Sequence, residues 1–162
     1  MLFNPHTGPQ ASQLLSKSLP SFGKQRALAV KAILRRAGLR PTRQRIALGS
    51  LLFVETHRHI TPDMLNEEAL LLGEKLSVAT VYNTLNQFAD AGLIRKISIH
   101  GERTYFDTDT GDHAHFYICD QDKIVDIAPD DIGIGPLPLP PAGYKISKVD
   151  VLIHLVPETT PS

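Results

Sequence analysis

The sequence contains one cysteine, Cys119, among 162 residues. A single cysteine excludes an intrachain disulfide and a structural zinc site built from four thiolates. The chain also lacks an apolar run long enough to cross a bilayer, and its N-terminus lacks the basic-then-apolar pattern of a signal peptide. We therefore expect a cytoplasmic protein with no membrane partner.

The chain has no net charge, but this zero is a cancellation. Residues 24–106 hold 13 lysines and arginines against 7 acidic residues, whereas residues 107–162 hold 3 against 10. The length permits one ordinary domain or two small ones. The charge pattern favours a basic half that faces nucleic acid and an acidic half that can bind a cation.

The basic half reads as a series of helices. Residues 1–23 are rich in Pro, Ser, Gly and Gln, and we interpret them as a flexible arm. Apolar residues at helical spacing predict an amphipathic helix over residues 24–37. Capping residues predict three further helices, which begin after Thr42, Thr61 and Ser77 and end near Val54, Gly73 and Gly92.

The last of these helices has an apolar stripe, formed by Val78, Val81, Leu85 and Phe88, and an outer face of small and amide side chains. Asn83 and Gln87 lie one turn apart on that outer face, and either amide can pair with adenine. Two helices joined by a short turn with such a face fit a helix-turn-helix.

Arginines surround the start of the second helix, where cations oppose the helix macrodipole. A phosphate partner explains them better than helix stability does, although a solvated basic surface is the alternative. Residues 93–99 and 103–106 predict a basic hairpin, which would place Arg95, Lys96 and Arg103 along phosphates. The predicted fold of residues 24–106 is therefore a winged helix, and its predicted DNA-contacting residues are Arg40, Thr42, Arg43, Arg45, Ser77, Ala79, Thr80, Tyr82, Asn83 and Arg95.

A polar hinge, residues 107–112, leads into the acidic half. His113 and His115 stand two apart in a predicted strand, so both leave the same face, and a second strand over residues 123–127 carries Asp126. Imidazole with carboxylate suits zinc, iron or manganese, although alternating histidines can also simply face water. The Pro/Gly-rich residues 128–143 exclude a long helix.

Residues 144–156 alternate again and predict a third strand. The predicted second domain is therefore a small, β-rich unit over residues 113–157, followed by a tail over residues 158–162. The expected fold class of the whole chain is α+β.

Three blocks of this sequence carry a family resemblance: LRPTRQR at residues 39–45, HITPDML at residues 59–65, and SVATVYNTLNQFADAGLIRK at residues 77–96. From about Lys24 to Val156 the chain resembles the ferric uptake regulator family of metal-sensing repressors. The resemblance implies a winged-helix domain joined to an α/β dimerisation domain, with a regulatory metal site between them. The implied ligands are His59, Asp107, His113, His115 and Asp126, of which the residues alone had marked His59 only as a linker histidine and Asp107 only as hinge polarity.

The chain also departs from that family. It lacks the two Cys-x-x-Cys pairs of most members, has the Pro/Gly-rich segment where a long helix is expected, and has Asn83 where an arginine is common. These departures, the HAHFY run and the segment PLPLPPAGYKISKVDVLI resemble the iron response regulator branch of α-proteobacteria, which senses haem. That branch implies His59, His113 and His115 as haem candidates, although Ala114 interrupts the histidine run and Cys119 is not followed by the proline of a Cys-Pro haem motif.

The predicted function is a homodimeric, DNA-binding transcriptional regulator of iron or haem homeostasis. It would bind a pseudo-palindromic operator in double-stranded DNA, with its affinity set by a divalent metal (Fe, Mn or Zn) or by haem. One alternative is a peroxide- or manganese-responsive repressor of the same family. The other is a metalloenzyme that uses His113, His115 and Asp126, but no sequence motif supplies a nucleophile or a general base.

Overall fold

The structure, a computed structural model, describes residues 11–99 and 103–158. The chain divides into two compact units, which run from Met1 to Thr110 (unit 1) and from Gly111 to Ser162 (unit 2). The division falls within the residues 107–112 interpreted above as a hinge. The two units are described separately below.

Unit 1 begins with a long helix, α1, over Ala11–Arg36. Residues 11–23 of the segment interpreted as a flexible arm are thus helical, while residues 1–10 of that arm lie outside the described residues. Ala, Gln, Leu and Lys between residues 11 and 17 are good helix formers, and they outweigh the nearby Ser and Pro.

Three shorter helices follow at the predicted places: α2 (Arg43–Leu52), α3 (Pro62–Leu71) and α4 (Val78–Asp90). The hydroxyls of Thr42, Thr61 and Ser77 each accept a hydrogen bond from a backbone N–H of the first turn. All three predicted caps are confirmed, because a capping hydroxyl satisfies an N–H that the helix itself leaves without a partner.

The core of unit 1 lies where these helices meet the sheet described next, and its fully buried side chains include Leu34, Leu48, Leu65, Leu85, Phe88 and Phe106. The predicted inner stripe of α4 needs one correction, because Val78 is 41% exposed. Thr84 is buried instead, and its hydroxyl donates to the Thr80 carbonyl at 2.9 Å.

A three-stranded antiparallel sheet completes unit 1. It consists of β1 (His59–Ile60), β2 (Arg95–Ser98) and β3 (Thr104–Asp107), in the order β1-β3-β2. In its register Asp107 stands between His59 on one side and Arg95 on the other. Neither His59 nor Asp107 is therefore a loop residue, contrary to the expectations from the sequence alone.

Unit 2 contains a second three-stranded sheet. Its strands are β4 (Ala114–Ile118), β5 (Lys123–Ile127) and β6 (Leu152–Leu155), in the order β5-β4-β6. Strand β4 pairs antiparallel with β5 and parallel with β6. Between β5 and β6 the described chain has only a single 3-10 turn, Pro129–Asp131, as the prolines predicted.

The third strand is shorter than predicted, since residues 144–151 lie outside it and most of their side chains are exposed. Among the helices of the described residues, none is long and apolar enough to cross a membrane.

Candidate functional site

The first candidate site of unit 1 is the surface shared by α2 and α4. A cleft of about 270 Å³ opens there, lined by Thr42, Gln44, Arg45, Thr80, Asn83, Thr84 and Gln87. The fold thus brings together four of the predicted DNA-contacting residues. Arg40 and Arg43 are exposed nearby, and Arg43 forms an ion pair of 3.3 Å with Glu74 while its side chain stays 82% exposed.

A second cleft, of about 420 Å³, lies beside the first turns of α4. It is lined by Thr61, Pro62, Asp63, Val78, Ala79, Tyr82, Arg103 and Thr104. Ala79 and Tyr82 of the predicted set lie here, while Ser77 caps the helix and is exposed.

Lys96 of β2 connects α4 to the β2–β3 hairpin through two hydrogen bonds. Its Nζ donates to the Tyr82 hydroxyl at 3.2 Å and to Asn86 Oδ1 at 3.0 Å. The hydrogen bond from the Lys96 ammonium, followed by that of Asn86, lowers the pKa of the Tyr82 hydroxyl below its ordinary value. The Tyr82 phenol therefore sits directly beside one cation, the Lys96 ammonium.

Arg95 lies in the predicted hairpin strand, but its side chain is buried. The residue is 7% exposed, which argues against the phosphate contact predicted for it. The two-residue period of a strand puts Arg95 on the same face as Ile97, and that face is buried. Its cross-strand partner is Asp107, the buried carboxylate of unit 1, which suits a buried cation.

The second candidate site of unit 1 is the pair His59 and Asp107. His59 Nε2 lies 3.3 Å from Asp107 Oδ2, and the Asp107 side chain is fully buried. The other carboxylate oxygen, Oδ1, accepts from the Asp109 backbone N–H at 2.8 Å. A carboxylate held in this way is oriented before any ligand arrives.

Unit 2 carries a trio of the same donor types. His113 Nε2 and His115 Nε2 lie 3.2 Å and 3.4 Å from one oxygen of Asp126, and the two imidazole rings are 4.4 Å apart between centroids. Asp126 stands directly across from His115 in the register of β4 and β5, which explains why the three side chains meet. Both histidine side chains are at most 9% exposed, whereas that of Asp126 is 47% exposed.

The tautomer of neutral His113 follows from the hydrogen bond that its Nδ1 makes. His113 Nδ1 lies 2.9 Å from the Gly111 carbonyl oxygen, which can only accept, so Nδ1 carries the hydrogen in the neutral ring. In that tautomer Nε2 directs a lone pair toward the Asp126 carboxylate, so it is available to bind a metal ion. Two imidazoles and a carboxylate suit zinc, iron and manganese.

An apolar cleft of about 400 Å³ adjoins His113 within unit 2. It is lined by Asp112, His113, Ala114, Pro129, Ile132, Ile134, Ile146, Ser147, Lys148, Val149 and Val151. Its volume and mostly aliphatic walls are those of a small-molecule pocket. No sequence signal predicted this cleft, because its walls come largely from irregular segments that have no period.

Two residues with roles in these sites escaped the sequence reasoning. Gln87 was interpreted as an outward amide that can pair with adenine, but its contact with Arg45 could not be foreseen because the two lie on different helices. Asp109 was treated as part of a hinge. Neither residue carries a local sequence signal for these contacts.

Comparison with known proteins gives four findings. The model of the Ferric uptake regulator family matches residues 36–153. The "Ferric uptake regulation protein" of Shigella flexneri is 32% identical over 100 residues, which cover 61% of this chain and 68% of that protein. Among solved structures, the ferric uptake regulator of Pseudomonas aeruginosa with manganese has a TM-score of 0.62 at 22% identity, over 80% of this chain and 98% of that one. The ferric uptake regulator of Francisella tularensis with iron has a TM-score of 0.59 at 21% identity, over 75% and 93%.

Proposed function

Because the chain belongs to the ferric uptake regulator family of metal-responsive transcription regulators, we propose that it is a homodimeric DNA-binding regulator of iron or haem homeostasis. Its proposed DNA-binding domain is a winged helix in which α4 enters the major groove and the β2–β3 hairpin is the wing. The proposed DNA contacts come from the predicted residues other than Arg95. The metalloenzyme alternative is not proposed, since the members of this family are transcription regulators.

The observation that carries the effector proposal is the convergence of His113 and His115 on one oxygen of Asp126. We propose that this trio holds a divalent metal ion, and that His59 and Asp107 of unit 1 are further metal ligands. The hydrogen bond from His113 Nδ1 to Gly111 supports this role, because it leaves Nε2 as the ligand atom. A coupling between effector and DNA binding is typically worth about 1–3 kcal/mol, which changes affinity by a factor of about 5–150.

We further propose that the effector is haem rather than a metal ion alone. The cleft of about 400 Å³ beside His113 supports it, because its aliphatic walls suit an apolar macrocycle and Lys148 at its edge suits a carboxylate. The histidines His59, His113 and His115 remain the candidates for an axial ligand. This choice would place the chain in the iron response regulator branch of its family.

The dimer proposal rests on the surface of unit 2. Besides the side chains that line the cleft, large apolar side chains are exposed there over residues 137–156, namely Leu137, Leu139, Tyr144, Ile153, Leu155 and Val156. An exposed apolar set of this size is typical of an interaction surface. A second copy would cover it and present two α4 helices to a pseudo-palindromic operator.

The test is an absorbance titration with haemin and, separately, with Mn(II), each followed by a mobility shift on DNA selected by the wild type. The variant is His113→Ala with His115→Ala, and the matched control is His57→Ala with His154→Ala, which removes two imidazoles elsewhere. We expect effector binding and its effect on DNA affinity to be lost in the first double variant and kept in the second. Unchanged binding of both effectors in the first variant would refute the site.

A peroxide- or manganese-responsive repressor is the second candidate, because the same His/Asp donors suit manganese as well as iron. Iron with peroxide would then oxidise His59 or His113, which mass spectrometry detects as an added oxygen atom. Absence of this product under conditions that release the DNA would exclude the peroxide version.

A further inference from the structure

Arg45 of α2 forms a fixed bridge to α4. Its Nε and Nη2 donate to the side-chain oxygen of Gln87, at 3.1 Å and 2.9 Å, and its Nη1 donates to the Arg40 carbonyl at 2.8 Å. The guanidinium is thus held at one end by the loop before α2 and at the other by the exposed face of α4. Its position does not depend on a bound partner.

This bridge determines which way the Gln87 amide points. A guanidinium has N–H groups and no acceptor, so only the amide oxygen can face it. Turning the amide over would place its NH2 against N–H groups and break two charge-assisted hydrogen bonds. Among the described residues, the Gln87 side chain has no other hydrogen bond, and it therefore presents its NH2 group outward.

An amide limited in this way recognises fewer bases. A glutamine with both groups available pairs with adenine, which offers a donor and an acceptor in the major groove. With its oxygen engaged, Gln87 can only donate. Guanine O6 and N7, thymine O4 and adenine N7 all accept in the groove, whereas cytosine presents only its amino donor there.

We propose that Gln87 is a specificity residue of α4 that donates to a base acceptor and thereby disfavours cytosine, and that Arg45 is the residue that positions it. This inference rests on the proposed DNA-binding function. Asn83, one turn earlier on the same face, has no such bridge among the described residues and keeps both its donor and its acceptor. Donation alone thereby replaces the bidentate pairing of Gln87 with adenine.

The experiment is a selection of bound sequences from a randomised double-stranded DNA library by the full chain, with and without Mn(II) or haemin. We expect one operator position per half-site to disfavour cytosine by roughly two- to tenfold, as for one hydrogen bond. In Gln87→Glu the carboxylate keeps Arg45 but presents an acceptor, so the same position should switch to cytosine or adenine, whose amino groups donate. Gln44→Glu makes the same charge change in the same cleft and should leave that position unchanged.

Two further variants complete the test. Arg45→Met releases the amide oxygen, so cytosine should become acceptable at that position while the other positions keep their preference. If Gln87→Glu binds too weakly for selection, Gln87→Met should level that one position and leave the rest intact. Discrimination against cytosine that persists in Gln87→Glu or in Gln87→Met overturns the inference alone. Wild type that recovers no specific DNA in any effector state overturns the proposed function, and the inference with it.

Discussion

At the scale of single residues, unit 1 depends on hydroxyls that start its helices. Ser77 is exposed, yet its oxygen accepts from the Thr80 backbone N–H at 3.1 Å and lies 2.9 Å from the Thr80 hydroxyl. The first turn of α4 thereby gains a partner for a group that would otherwise rely on water. The helix proposed to enter DNA is therefore anchored by one small side chain.

Ser77→Ala should lower the free energy of unfolding by about 1 kcal/mol, because the N–H of Thr80 loses its partner. Urea unfolding followed by circular dichroism measures this as a lower midpoint. Ser77→Asp is the control, since its carboxylate can accept the same hydrogen bond and interacts favourably with the helix N-terminus. Equal midpoints for wild type and the alanine variant would contradict the role of the cap.

At the scale of elements, α1 and α2 approach each other closely at Gly49. A Cβ placed there would lie 2.7 Å from Val30 Cγ1 and 3.1 Å from the Phe53 ring. Glycine inside a helix costs about 1 kcal/mol relative to alanine, so helix propensity alone would favour replacing it. The approach of the two helices explains why the smallest side chain stands at this position.

Gly49→Ala should therefore destabilise unit 1 despite its better helix propensity, by about 1–3 kcal/mol as for an overpacked core. Val30→Ala removes the atom that the new methyl would strike. The double variant should consequently be more stable than the sum of the two single losses predicts. Urea midpoints of the four proteins give this coupling, and strictly additive losses would refute the close contact.

The same scale separates what the sequence could predict from what it could not. The starts of α2, α3 and α4 could be predicted because a cap and, for α3, a proline are local signals. Strand β1 was missed, since two residues show no period and its partner β3 lies far along the chain. For the same reason His59 and Asp107 became ligand candidates only through the family resemblance, whereas the strands themselves pointed to His113, His115 and Asp126.

At the scale of the whole molecule, the absence of net charge hides two opposed units. Unit 1 carries 14 lysines and arginines against 9 acidic residues, and unit 2 carries 3 against 8. Attraction to a phosphate backbone therefore belongs to unit 1. The acidic residues of unit 2 would repel the same backbone under the proposed DNA-binding function.

Arg43→Gln should weaken DNA binding at low salt and flatten its salt dependence. Removing one ion pair with a phosphate reduces the slope of log affinity against log salt concentration by about 0.9. Lys123→Gln makes the same charge change in unit 2 and should leave the slope unaltered. Fluorescence anisotropy on labelled DNA between low and moderate salt measures both slopes, and identical slopes for wild type and Arg43→Gln would rule out a phosphate partner for Arg43.

The register of the first sheet decides whether His59 and Asp107 meet. His59 faces Asp107 only when β1 has paired correctly with β3, and a slip of one residue would turn the two side chains to opposite faces. A misfolded copy would then lose this ligand pair and hold its proposed metal less well. Metal retention would therefore distinguish a copy with the correct β1–β3 register from a copy whose register has slipped.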